Sequence, residues 1–97
     1  MTLEESRVIF VRLLGFAEHS VKEGYLIVKP YISDVLKVVG LVVFDSSSRR
    51  VGRVVDVIGK VSDPRIVVKL DNPDLGLLLS SRRERLYYIP RRGREKK

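Results

Sequence analysis

Val38-Val39-Gly40-Leu41-Val42-Val43-Phe44-Asp45, then Ser46-Ser47-Ser48-Arg49-Arg50, then Val51-Gly52-Arg53-Val54-Val55-Asp56-Val57-Ile58-Gly59: the fold turns on this stretch. Two runs dominated by β-branched residues flank a short polar turn, which is the pattern of a β-hairpin. Similar runs lie on either side. Tyr25 to Lys29 is a strand ended by Pro30, which cannot donate to a ladder. Arg65 to Leu70 is another, reached through the turn Ser62-Asp63-Pro64. Val8 to Ala17 and Leu86 to Ile89 complete the set, with Pro90 as a stop. Gly15 inside the first run marks a bulge or sharp bend.

Between these runs, His19 to Gly24 reads as a hairpin loop. Tyr31 to Lys37 reads as a loop with room for one helical turn opened by Ser33 or Asp34. Asp71-Asn72-Pro73-Asp74 begins a longer excursion, and Leu75 to Ser80 is a short helix or an irregular apolar plug. Six short strands with hairpin-length links predict an all-β fold, a small six-stranded antiparallel β-barrel, whose closure removes exposed edges. The expected division is a flexible N-terminus over 1–6, the barrel over 7–90 and a disordered basic tail over 91–97.

At 97 residues the chain has room for one small domain. It has no cysteine and one histidine, His19, so disulfides, thiolate chemistry and multi-histidine metal sites are excluded within it. The apolar run from Val38 to Phe44 is far below the roughly 20 residues of a membrane-spanning helix. The start Met1-Thr2-Leu3-Glu4-Glu5 is acidic, unlike a secretion signal. These features predict a soluble cytoplasmic protein with no membrane partner.

The net charge of +7 is concentrated at one end. Eight of the 19 basic residues lie between Arg82 and Lys97, opposed by Glu84 and Glu95. Arg91, Arg92, Arg94, Lys96 and Lys97 form a cationic arm that would attract a polyanion such as RNA by counterion release. A solvated terminus that only aids solubility is the plainer reading of the same residues.

The central runs carry more apolar groups than one barrel interior needs. Strand alternation puts Val54 and Ile58 on one side with Gly52 and Asp56, and Val51, Val55 and Val57 on the other with Arg53. The Val38–Phe44 run is likewise apolar on both faces. The second face needs a cover, either a loop, the Leu75–Leu79 segment or another protein.

Catalytic constellations are missing. The carboxylates Asp34, Asp45, Asp56, Asp63, Asp71 and Asp74 are scattered rather than paired. Gly52 to Gly59 lacks the spacing and the Lys-Ser/Thr of a phosphate loop. Tyr87 and Tyr88 beside the arginines suit either a base-stacking platform or a strand with one ring in and one out. The expectation is a protein without catalytic activity, cofactor or metal.

The stretch Val51 to Val61, with Ser62-Asp63-Pro64 and Arg65-Ile66-Val67-Val68-Lys69 after it, resembles the Gar-type subunit of archaeal H/ACA small ribonucleoproteins, related to the Naf-type assembly factor. The likeness lies in a glycine, an acidic residue, an apolar pair and a second glycine at the spacing of Gly52, Asp56, Val57-Ile58 and Gly59. Pro64 then sits in the next turn, and an apolar strand ending in Lys69 follows. Arg12-Leu13-Leu14-Gly15 and Gly24-Tyr25-Leu26-Ile27-Val28 are similar to the family's first hairpin, and Leu86-Tyr87-Tyr88-Ile89 with the basic tail to its ending. The chain departs at Lys60, where the family usually has proline, at Arg65, where it often has an aromatic, and at Ile58, where phenylalanine is frequent.

The resemblance implies a six-stranded barrel without a catalytic site. It would dock on the pseudouridine synthase subunit of the H/ACA complex and promote turnover in RNA-guided pseudouridylation of rRNA. The implied partner-binding residues are Gly52, Val54, Asp56, Val57, Ile58, Gly59, Val61, Pro64 and Ile66. Guide RNA and rRNA substrate would be met indirectly or through the tail. The alternative is an independent RNA-binding barrel of ribosomal or translation-factor type, with the tail and tyrosines as the contact.

Overall fold

The hairpin after Val51 is the longest ladder of the fold. In a computed structural model that describes residues 11–90, β4 (Arg50–Lys60) pairs antiparallel with β5 (Asp63–Leu70) from Gly52 opposite Leu70 to Lys60 opposite Asp63. Only Val61 and Ser62 separate the strands. Neither takes positive φ, as the favoured two-residue hairpin turns require, and the left-handed step falls on Gly59 at φ 91°. The hairpin therefore absorbs Ser62-Asp63-Pro64, and β5 starts two residues before the expected Arg65.

β1 (Arg12–Val21), β2 (Tyr25–Pro30), β3 (Val42–Phe44) and β6 (Arg85–Tyr88) complete a closed antiparallel barrel in the order β1-β2-β5-β4-β3-β6, with β6 returning to β1. Leu14, Leu26, Val28, Val43, Val54, Ile66, Val68 and Leu86 fill its interior. Among the described residues no polar or charged side chain is buried. Burial of these aliphatic side chains, at roughly 1.5–3 kcal/mol each, is the main favourable term. No helix among the described residues is long and apolar enough to cross a membrane.

Other strands also differ from the sequence reading, and β6 runs Arg85–Tyr88 rather than Leu86–Ile89. β1 continues through the polar residues read as a loop: His19 pairs with Ile27 and Val21 with Tyr25 beyond a bulge at Glu18. Backbone pairing does not require apolar side chains, and here the polar ones stay accessible at the barrel end. The turn shrinks to Lys22-Glu23-Gly24, with Glu23 and Gly24 both at positive φ.

The Val38–Asp45 run is not one strand. Val35–Val38 form a 3-10 turn, Gly40 reverses the chain at φ 92°, and only Val42–Phe44 join the sheet as β3. This explains the two-faced apolarity of that run. Val38 is buried from the 3-10 turn, Val39 and Leu41 pack on the core's margin, and Val43 points inward from the strand. The chain covers this part with its own residues.

In β4, bulges at Val51 and Val55 break the alternation. Gly52, Val54 and Val57 lie opposite Leu70, Val68 and Ile66, facing inward, while Val55, Asp56 and Ile58 face out. The expected grouping of Val54 with Ile58, and of Val55 with Val57, is thus overturned by one extra residue in the strand.

The excursion after Asp71 is helical over Leu75–Arg82 (α1), ended by Arg83 in the left-handed conformation. Leu79 is buried and Leu75 packs on the core. Gly76 lies so close to Ser20 and Leu70 that the helix closes the barrel end between them. Leu77 and Leu78 on its other side are exposed. Val8 to Phe10 and the tail residues Arg91, Arg92, Arg94, Lys96 and Lys97 lie outside the described residues.

Candidate partner-docking face

The outer surface of β2, β5 and β4 is built by register. Ile27, Val67 and Asp56 form one row across the three strands, and Tyr25, Lys69 and Arg53 the next. Ile58 sits opposite Arg65 in a third. The bulge adds Val55 to the first row. Val55 is 42% and Ile58 44% exposed, with Ile27 and Val67 half-buried beside them. The interior is already full, so this apolar stripe has no role inside the barrel. Apolar patches of this kind mark interaction sites.

Charges frame the stripe. Lys69 and Arg53 flank it on one side; the Arg53 Nη1 donates to the Gly40 carbonyl at 2.8 Å, which steadies the guanidinium beside the stripe. On the other side Arg65 of β5 reaches across to β1. Its Nε donates to Glu18 Oε1 on β1 at 2.8 Å, and its Nη1 to Asp63 Oδ1 at 2.7 Å and the Pro64 carbonyl at 3.0 Å. These bonds hold the Glu18 and Asp63 carboxyls below their usual range and push the Arg65 guanidinium up. The network spans β2 and ties the turn end of the hairpin to β1. The hairpin tip extends past it, with Val61 fully exposed.

The residues implied for docking divide between two sides of the sheet. Asp56, Ile58, Gly59 and Val61 are outward or at the tip, and Pro64 is half-buried. Val54 and Ile66 are core residues, 1% and 0% exposed, and Val57 packs against the core with them. Gly52 is enclosed, since a Cβ there would collide with the Lys69 carbonyl. Gly52, Val54 and Ile66 present no side-chain surface, and Val57 is only partly exposed. Sequence reasoning missed Val55, Ile27, Val67 and the Arg65 network. The patterns Tyr25-Leu26-Ile27-Val28 and Ile66-Val67-Val68, apolar on both faces, were signals for Ile27 and Val67.

Among the described residues no group of three His, Cys, Asp or Glu side chains could hold a metal ion. The arrangement offers apolar contact, flanking cations and a rigid hairpin. A comparison with the models of known protein families gave no match for this chain, and a comparison with curated proteins gave none.

Proposed function

We propose that the chain is a non-catalytic subunit of an H/ACA ribonucleoprotein for RNA-guided pseudouridylation of rRNA, and that it docks on the pseudouridine synthase subunit through the outer face of β2, β5 and β4. The observation that carries this reading is the apolar stripe of Val55, Ile58, Ile27 and Val67 on the outside of a barrel whose interior is complete. The Gly52-to-Gly59 motif, on which the resemblance to Gar-type subunits rests, runs along the edge of that stripe. The mechanism needs no reacting group. A subunit that binds two conformations of a synthase unequally shifts their populations by its differential affinity, and can thereby speed closure or product release.

The test is co-purification of the chain with the synthase subunit, with and without nuclease. Nuclease-resistant association that is lost in Ile58→Asp supports the reading. Association that disappears with nuclease, or that survives Val55→Asp and Ile58→Asp together, counts against it.

A further inference from the structure

Register places a row of cations and an aromatic ring across the outside of β6, β1 and β2. Arg85 lies opposite Phe16, and Phe16 lies opposite Lys29. Arg85 and Lys29 are exposed and Phe16 is half-buried. Beyond Pro30, the Tyr31 amide donates to the Leu14 carbonyl of β1 at 2.8 Å. Gly15 permits this close approach, since a Cβ there would collide with the Lys29 carbonyl. The Tyr31 backbone is thereby held to the barrel while the residue stays 71% exposed. Tyr88 of β6, by contrast, is turned into the core and offers no ring to a ligand. Phe16, Lys29, Tyr31 and Arg83 line a cleft of about 430 Å³. Its one carboxylate, Glu18, is taken by Arg65 at 2.8 Å. Glu84, between the two arginines in the chain, accepts the Ser46 hydroxyl. Among the described residues no carboxylate pairs with Lys29, Arg83 or Arg85.

We propose that this cleft binds an unpaired RNA strand, with bases stacked on Tyr31 and Phe16 and phosphates met by Lys29, Arg83 and Arg85. Paired strands lie about 4.8 Å apart, so Lys29 and Arg85 rise about 10 Å apart on either side of Phe16. Two unpaired cations at that spacing repel each other, and a polyanion laid between them relieves the repulsion while releasing its own counterions. The rings decide the class of polyanion. Aromatic faces accept any unpaired base and cations around them track the backbone, whereas an acidic peptide would engage the cations and leave both rings idle. A duplex keeps its bases stacked on one another and gains nothing from Tyr31. On the far side of Tyr31 a second cleft carries Arg12 and Lys37 against one carboxylate, Asp34, so the basic surface continues past the ring. The choice of RNA over DNA rests on the reading above, which puts the chain in a ribonucleoprotein. The site itself is centred on β1, whereas the docking stripe is centred on β5, with the Arg65 network on β5 between Lys29 and Ile58.

The experiment titrates the full chain against fluorescein-labelled oligouridine, oligodeoxythymidine, an RNA duplex and oligoglutamate, following anisotropy at low and moderate salt. Tyr31→Leu removes an exposed ring and keeps apolar bulk; its melting curve should match that of the parent. The expected result is a loss of oligouridine affinity of about tenfold in Tyr31→Leu, at both salt concentrations. Lys29→Gln and Arg85→Gln should instead lower the slope of log affinity against log salt, by about 0.7 for each cation removed. Ile58→Asp, which tests the docking stripe, should bind oligouridine as the parent does, so that the two readings fail separately. Unchanged affinity in Tyr31→Leu overturns the proposal. Duplex bound as tightly as oligouridine, or tighter binding of the DNA strand, overturns it too. Oligoglutamate binding that suffers the same loss in Tyr31→Leu makes the cleft an acidic-peptide site and refutes it. Photo-cross-linking of 4-thiouridine-labelled RNA to the unaltered chain gives an independent readout: cross-links at Tyr31 or Phe16 support the site, and cross-links confined to residues after Pro90 refute it.

Discussion

Val54 and Val55 are adjacent in the chain, yet one is sealed in the core and the other open to solvent. Val54→Asp would bury an unpaired carboxylate at a cost of several kcal/mol. A small domain has on the order of 5 kcal/mol to lose, so this variant should be unfolded by circular dichroism at ordinary temperature. Val55→Asp and Ile58→Asp should instead fold with a melting temperature near that of the parent, and should lose synthase binding on pull-down. Glu18 has a different signature. Arg65 holds its carboxyl low, so the bond stabilises fully above the ordinary glutamate value and fades as pH falls through the lowered one. Thermal melts across an acidic pH series should show this loss, and Glu18→Gln should flatten that part of the profile. Asp63 is 68% exposed in its side chain and should add little.

Elements were legible in the sequence where pairing and burial rise together. The strands β2, β4 and β5 stood out because runs rich in valine and isoleucine meet turn residues. β1 was cut short because Glu18, His19 and Ser20 are polar, although their backbone groups continue the ladder to Val21. β3 was drawn too long because apolarity cannot distinguish a strand from a 3-10 turn that buries Val38. The residues of β4 were grouped on the wrong sides after Val54 because a bulge is a backbone event with no residue signature at Val55. The docking residues implied by the resemblance therefore mixed both sides, with Val57 inward and Ile58 outward. The helix α1 was left open between helix and plug, and its two sides make distinct predictions. Leu79→Ala removes a buried side chain and should cost about 2–4 kcal/mol in urea unfolding. Leu77→Ala is exposed and should stay within about 0.5 kcal/mol of the parent. Equal losses in both would mean that the helix does not seal the barrel through its Leu79 side.

For the whole molecule, the ladder is complete by Tyr88, so removal of residues 91–97 should leave the melting temperature unchanged while lowering RNA association most at low salt. A fall in melting temperature would place part of the fold beyond Pro90. Ring closure has a further consequence. Because Arg12 lies opposite Tyr88, the chain enters and leaves the barrel side by side. Covalent order is then nearly independent of spatial order. A circular permutant that joins the two ends by a short flexible linker and opens the chain at Val61-Ser62 retains all six inter-strand ladders.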